Sequence, residues 1–353
     1  MNRKEKITIG LAVLITILSG ILHYTSGNTV VIFIFVTAAL ALVAKIVGDA
    51  TEQLGSYLGP GATGIMQSAL GNLPELFVCI FALRAGLDKV VQAALIGSIL
   101  GNSLLVFGLA LLIGGWKNGT QRFHSEQPKM IATLMILAFA ALAIPTFTKM
   151  LHTAAAPHIN SLDIFVAIVL LLMFAASLFY FIKGDKKVDT PDPVETKHKA
   201  TWSVGLALFV LALSGVAAAF VSEWFVDALQ PAMKILGIND VFAGLVIVAI
   251  AGNAIENVVG VQLAYSNKPD YAISVILNSS LQVALCLFPI LVLLSFVLGG
   301  AILTFVLPPL MIAALALTVI VSTFVVFDGE SIWLEGLSLI GLYCLIASAF
   351  WWG

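Results

Sequence analysis

Charge is scarce in this sequence. Only 10% of its 353 residues are Asp, Glu, Lys or Arg, against 60% hydrophobic, where a soluble domain carries roughly 25% charged residues. So little charge on so much apolar chain argues against a soluble enzyme or binding module. Cysteine is scarcer still. Cys79, Cys286 and Cys344 are scattered through apolar stretches, with neither disulfide nor metal-ligand spacing, and read as small buried hydrophobes. The five histidines, His23, His124, His152, His158 and His198, fall in or beside polar breaks. That leaves no His-rich metal site, and no Ser/Lys nucleophile arrangement lies in the apolar segments, so an enzyme is not expected. No long basic stretch is present to follow a nucleic acid, and a net charge of −2 favours no partner.

What is abundant is apolar sequence in runs near 20 residues, with a mean hydropathy of +1.08. Each such run crosses a hydrocarbon core of about 30 Å as a helix. The bilayer is therefore the first partner. Eleven spans are expected, at 7–23, 29–57, 61–84, 88–114, 129–149, 160–182, 201–229, 238–265, 269–298, 301–326 and 331–352. Punctuation such as Gly59-Pro60-Gly61, Asn267-Lys268-Pro269 and Asp328-Gly329-Glu330 separates them. The basic N-terminus before Ile7–Leu22 lacks a small-residue cleavage site and more spans follow, so it reads as a retained first helix. One long hydrophilic break, Lys183–Lys199, holds Pro191 and Pro193 among charged residues and suits a solvated linker. The expected fold is all-α and polytopic, with 1–28 a leading helix, 29–182 a five-helix unit, 183–200 a linker and 201–353 a second five-helix unit.

Lysine and arginine set the orientation. With the N-terminus inside, the cytoplasmic segments hold twelve (Arg3, Lys4, Lys6, Lys117, Arg122, Lys129, Lys183, Lys186, Lys187, Lys197, Lys199 and Lys268) and the outer segments four (Arg84, Lys89, Lys149 and Lys234). That excess places the N-terminus and the linker in the cytoplasm and the C-terminus outside. The two five-helix units then run in opposite directions, as in the inverted repeats of alternating-access carriers.

The repeat is also written in the residues. Gly71-Asn72-Leu73-Pro74-Glu75 and Gly252-Asn253-Ala254-Ile255-Glu256 lie 181 residues apart, each inside an apolar stretch. A carboxylate in hydrocarbon costs several kcal/mol unless paired or metal-bound, so an intramembrane Glu marks function by default. On a helix, Asn72 and Glu75 share a face at i,i+3, as do Asn253 and Glu256. Gly71 and Gly252 permit close packing or local unwinding, and Pro74 frees a carbonyl one turn earlier. Carboxylate, amide and carbonyl oxygens are hard ligands suited to calcium, magnesium or sodium. The same offset superimposes Ser98 on Ser279, within Gly97-Ser98-Ile99-Leu100-Gly101-Asn102 and Asn278-Ser279-Ser280-Leu281-Gln282. An outer layer of acids, Asp49 with Glu52 and Glu223 with Asp227, would lie at opposite membrane faces and funnel cations or relay protons.

These residues resemble the calcium/proton antiporters, the CAX branch of the calcium/cation antiporter superfamily, over essentially the whole chain. The paired Gly-Asn-x-x-Glu motifs carry the resemblance, supported by Ala50-Thr51-Glu52, Gly97-Ser98-x-x-Gly101-Asn102, Ser222-Glu223 and Ser279-Ser280-Leu281-Gln282. The resemblance implies that Glu75 and Glu256 bind the cation and exchange it for protons, with Asn72, Asn253, Gly71 and Gly252 beside them. Glu52, Glu223, Ser98, Asn102, Ser279 and Gln282 would line the access or proton path. It also implies the inner membrane of a prokaryote, calcium and protons as substrates and no cofactor; a homo-oligomer is compatible with it. In two respects the chain departs from the pattern, the lesser being Asn257-Val258 directly after the second motif. Pro74 stands where that family usually has another residue, and a Pro-Glu step resembles the sodium/calcium exchanger branch. A sodium-driven exchanger is therefore the nearer alternative, and a cation channel the more distant one.

Two ionised glutamates facing each other would repel. A divalent cation relieves that repulsion and so does protonation, but the two compete for the same oxygens. Such competition is enough chemistry for exchange, and the pair would titrate as a unit.

Overall fold

The computed structural model describes residues 3–25, 28–57, 70–183 and 201–352, except the side chains of Lys4, 181–183 and 254–257. In chain order the helices are α1 (Arg3–Tyr24), α2 (Thr29–Gly55), α3 (Leu73–Arg84), α4 (Asp88–Asn118), α5 (Glu126–Met150) and α6 (Ile159–Lys183). They continue as α7 (Val204–Leu236), α8 (Asp240–Gly252), α9 (Ala254–Tyr265), α10 (Pro269–Ser295), α11 (Pro309–Phe327) and α12 (Trp333–Trp352). Among the described residues the one strand pair is a two-residue ribbon, β1 (Gln121–Arg122) against β2 (Glu330–Ser331).

Hydropathy places these helices and side-chain caps start several of them. The Asn28 carboxamide oxygen accepts from the Val30 and Val31 amides at 3.0 and 3.4 Å. Ser203 caps Leu206 at 3.3 Å, and Asn239 caps Phe242 at 2.7 Å. Each satisfies an amide that the first turn leaves without a helical partner. Gly237 closes α7 in the left-handed conformation (φ 66°) that a side chain would resist.

Nine helices among the described residues are long and apolar enough to cross a membrane, so the protein is an integral, multi-pass all-α membrane protein. The expected count of eleven meets the chain differently at three places. Of the span expected at 61–84, residues 61–69 lie outside the described residues and α3 covers the remainder. The span expected at 238–265 is broken at Asn253 into α8 and α9. The span expected from 301 begins instead at Pro309. Residues 301–308 are non-helical, and at the junction with the helix a residue before proline is pushed out of the helical region, as Pro308 is here (φ −53°, ψ 141°). Linker residues 184–200 lie outside the described residues.

The described chain divides into two compact units, and each draws on both sequence halves. Unit 1 comprises residues 1–85 and 175–238, and unit 2 residues 86–174 and 239–353. In unit 1, α2 packs along α7 with Phe33 against Phe225 (ring centroids 5.3 Å apart). The buried Trp202 donates its indole N–H to Glu5 at 2.8 Å. In unit 2, Phe288 and Phe305 meet at 4.9 Å in a core they share with Leu303.

Unit 2 also holds the non-helical segment 296–308, with Leu303, Phe305 and Leu307 buried. Gln92 Nε2 donates to the carbonyls of Thr304 (2.9 Å) and Val306 (3.2 Å). Thr146 Oγ1 donates to the Phe305 carbonyl (3.0 Å) and accepts from the Leu307 amide (2.9 Å). Irregular backbone at membrane depth survives where protein groups replace the missing helical partners, as these two side chains do.

Candidate functional site

Both Gly-Asn-x-x-Glu motifs break a helix at the same residue. Asn72 sits at φ −91°, ψ 12° immediately before α3. Asn253, its equivalent 181 residues on, sits at φ −102°, ψ 19° between α8 and α9. Gly71 and Gly252 precede the breaks, both half-buried. Each Glu thus falls in the first turn of a helix, where the exposed amide dipoles favour a negative charge. At the second break α8 ends, and the Ala249 carbonyl of its last turn accepts from the Asn253 backbone amide at 3.2 Å.

In unit 1, Glu75 is 3% exposed on α3. The fully buried Ser222 of α7 reaches the Pro74 carbonyl at 3.5 Å. Ser222 thus ties the helix carrying Glu223 to the first turn carrying Glu75. Glu52 and Glu223 themselves are exposed, as is Asp227. Asp49 is half-buried and ion-paired with Lys45 of the same helix, both carboxylate oxygens at 3.0 Å. That pairing occupies one of the four acids expected to attract cations.

In unit 2 the polar residues converge. Asn253 Nδ2 donates to Ser98 Oγ at 2.9 Å and to the Ala249 carbonyl at 3.0 Å. Its Oδ1 accepts from Asn102 Nδ2 at 3.3 Å, and the same Asn102 amide donates to Ser279 Oγ at 2.9 Å. All four side chains are 5% exposed or less. Ser98 and Asn102 come from the first half of the sequence, Asn253 and Ser279 from the second. A small cleft opens beside them, lined by Ser98, Gly101, Asn102, Ala249, Ile250 and Asn253. Gln282 is half-buried on the same helix as Ser279.

Glycine makes this convergence possible. A Cβ on Gly97 would overlap the Leu245 carbonyl, and one on Gly244 would overlap the Val90 carbonyl and Ala93. Helices α4 and α8 therefore cross backbone to backbone, which brings Ser98 within reach of Asn253. Directly after the polar stretches, α4 and α10 each widen into a π-turn, at Gly101–Val106 and Val283–Leu287. The 181-residue offset superimposes these two turns almost residue for residue. A third π-turn, Ala243–Val248, lies in α8. Such insertions often mark functional stretches of helix.

The side chain of Glu256 lies outside the described residues, so the expected face-to-face placement of Glu75 and Glu256 falls there too. Among the described residues, no three His, Cys, Asp or Glu side chains gather as a metal-holding group.

Comparison with known proteins gives this arrangement its context. A family model described as "Sodium/calcium exchanger protein" matches residues 28–183 and 206–352. The chain is a member of that family. The two matched blocks follow the two halves that the repeated motif defines. Among relatives in the family, the chain is 32% identical to a Ca(2+)/H(+) antiporter of Aphanothece halophytica, covering 99% of this chain and 97% of the relative. It is also 32% identical to the Ca(2+)/H(+) antiporter ChaA of Bacillus subtilis, covering 99% of both. The solved structure of native YfkE superimposes with a TM-score of 0.82 at 28% identity, over 98% of this chain and 99% of that one.

The structure adds residues that sequence reading passed over. Ser103 bonds Ser280 between buried hydroxyls at 2.8 Å, one residue beyond each of the polar partners already named. Gln92 and Thr146 were unremarkable in sequence, since their partners lie more than 150 residues away. Asp163 carried a signal that was missed. It is an acid inside an apolar span, the same criterion that singled out Glu75 and Glu256.

Proposed function

We propose that this chain exchanges calcium for protons across a membrane by alternating access, with Glu75 and Glu256 as the carboxylates for which the two ions compete. The observation that carries the reading is the pair of helix breaks at Asn72 and Asn253, each presenting a glutamate in the turn that follows. Relatives matching nearly end to end are named for calcium/proton antiport. Calcium takes six to eight oxygens in flexible geometry, which two carboxylates, Asn72 and Asn253 amide oxygens and the carbonyls beside Gly71 and Gly252 would supply. In the present arrangement the Asn253 oxygen accepts from Asn102, so loading the cation at Asn253 would exchange that partner for the ion. Ser98, Asn102, Ser279 and Gln282 then hold the unloaded amide in place. Glu52 and Glu223, exposed on α2 and α7, form the access path, and neither monomer nor homo-oligomer is favoured.

Pro74 supports a second reading, sodium-driven exchange, because the Pro-Glu step resembles the sodium/calcium exchanger branch. Flux into sealed proteoliposomes separates the two. Calcium uptake should rise with an outward proton gradient and need no sodium. Uptake driven by a sodium gradient alone would establish the second reading, and gradient-independent flux would establish a channel.

The positive-inside count supports a cytoplasmic N-terminus and linker and an outer C-terminus, and the relatives from Aphanothece halophytica and Bacillus subtilis support a prokaryotic plasma membrane. In a cysteine-free background, single cysteines at Ala154 and Glu126 flank α5 on opposite faces. A membrane-impermeant thiol reagent added to intact cells should label Ala154→Cys and spare Glu126→Cys. The reverse pattern would invert the orientation.

A further inference from the structure

One buried acid stands outside every motif used so far. Asp163, one turn into α6, is 0% exposed, and neither carboxylate oxygen has a hydrogen-bond partner among the described residues. It lies in unit 2 beside Phe305 of the non-helical segment 296–308. The Phe305 backbone amide faces its carboxyl outside hydrogen-bonding geometry. Lys149, exposed in the last turn of α5, is the charged group acting on it. The segment 296–308 and α11 contain no titratable side chain. Helix α4 reaches the segment through the uncharged Gln92, and its charged residues stand at its ends, Asp88 and Lys89 at the start and Lys117 in the last turn. His152 and His158 of the turn between α5 and α6 are exposed.

A carboxylate with no donor, shut away from water, is the costliest form such a group can take. The neutral acid costs far less. The carboxylate form needs water or an ammonium group to reach it. The non-helical segment beside Asp163 has no helical ladder of its own, and two side chains, Gln92 and Thr146, hold its central backbone. We propose that Asp163 is a proton-binding site of unit 2, separate from the motif glutamates, and that losing its proton loosens the buried segment 303–307. The site takes a proton from the membrane face on which α5 ends and α6 begins. Its occupancy does not depend on which cation the chain carries.

Two measurements on the purified full-length protein test this without any transport assay. Difference infrared spectra between neutral and alkaline buffer should contain the carbonyl band of a buried carboxylic acid that disappears at high pH. Asp163→Asn should remove that band, and Asp163→Glu should shift it. Hydrogen exchange at the amides of 303–307, compared at equal pH, should match between wild type and Asp163→Asn at neutral pH. Above the transition the wild type should lose protection by about tenfold or more, about 1.4 kcal/mol, while Asp163→Asn keeps it. An acid band unchanged in Asp163→Asn overturns the proton site. Loss of the band with unaltered protection at 303–307 overturns the link to the segment. Should Asp163→Asn fail to fold, the band position in Asp163→Glu and the wild-type exchange profile decide the same two points.

Discussion

Replacing Glu75 or Glu256 by Gln should lower calcium/proton exchange by about 100-fold or more, beyond the 10- to 100-fold that loss of a merely supporting group costs a metal site. Glutamine keeps the size of the side chain and its place in the first turn of α3 or α9, but it has no charge for calcium and no proton to trade. Stability should move little, because glutamine keeps the size and hydrogen-bonding capacity of the side chain and a first-turn carboxylate gains only about 0.3–1 kcal/mol from the helix dipole. The melting temperature of Glu75→Gln should therefore stay close to that of the wild type, which separates loss of function from loss of fold. Calcium binding to either variant should also depend less steeply on pH, because one of the two competing carboxylates is gone. Exchange near the wild-type rate in either variant would move the site elsewhere.

Some of this molecule is visible in the sequence because its physics is local. Hydropathy located the helices, and repetition of Gly-Asn-x-x-Glu located the breaks, since that motif recurs where the backbone turns the same way twice. Ser98, Asn102, Asn253 and Ser279 were each singled out as polar residues in apolar surroundings, and three hydrogen bonds join them. What stayed hidden depends on contacts between distant residues or on chemistry with no compositional trace. The buried segment 301–308 is as apolar as a membrane helix, so only Pro308-Pro309 could have betrayed it. Whether a serine or threonine bonds across helices, as Ser103 and Thr146 do, depends on side-chain direction that one chain's sequence does not encode. The compact units were equally hidden, because both combine helices from the two sequence halves, whereas the repeat divides the chain in the middle.

Substituting Gly97 or Gly244 by Ala should be the most damaging change outside the motif glutamates. At both positions the new Cβ meets backbone atoms of the facing helix, the Leu245 carbonyl in one case and the Val90 carbonyl in the other. Backbone cannot swing aside as the end of a flexible side chain can, so α4 and α8 must separate. Overpacking of this kind costs about 1–3 kcal/mol in a well-packed core, and contact with the unyielding backbone of the facing helix puts these sites at the upper end. Gly97 directly precedes Ser98, whose hydroxyl takes the 2.9 Å bond from Asn253. A shift of roughly 1 Å would carry that bond past the 2.7–3.2 Å range of a good N–H···O interaction and free the Asn253 amide to rotate. Transport should therefore fall together with thermal stability, unlike the glutamate variants. Gly341→Ala on α12 is the control, because a Cβ there meets nothing within 4 Å and alanine gains up to about 1 kcal/mol of helix propensity over glycine. It should melt no lower than the wild type and transport normally. If Gly97→Ala behaves like Gly341→Ala, the close crossing of α4 and α8 is not what holds Ser98 against Asn253.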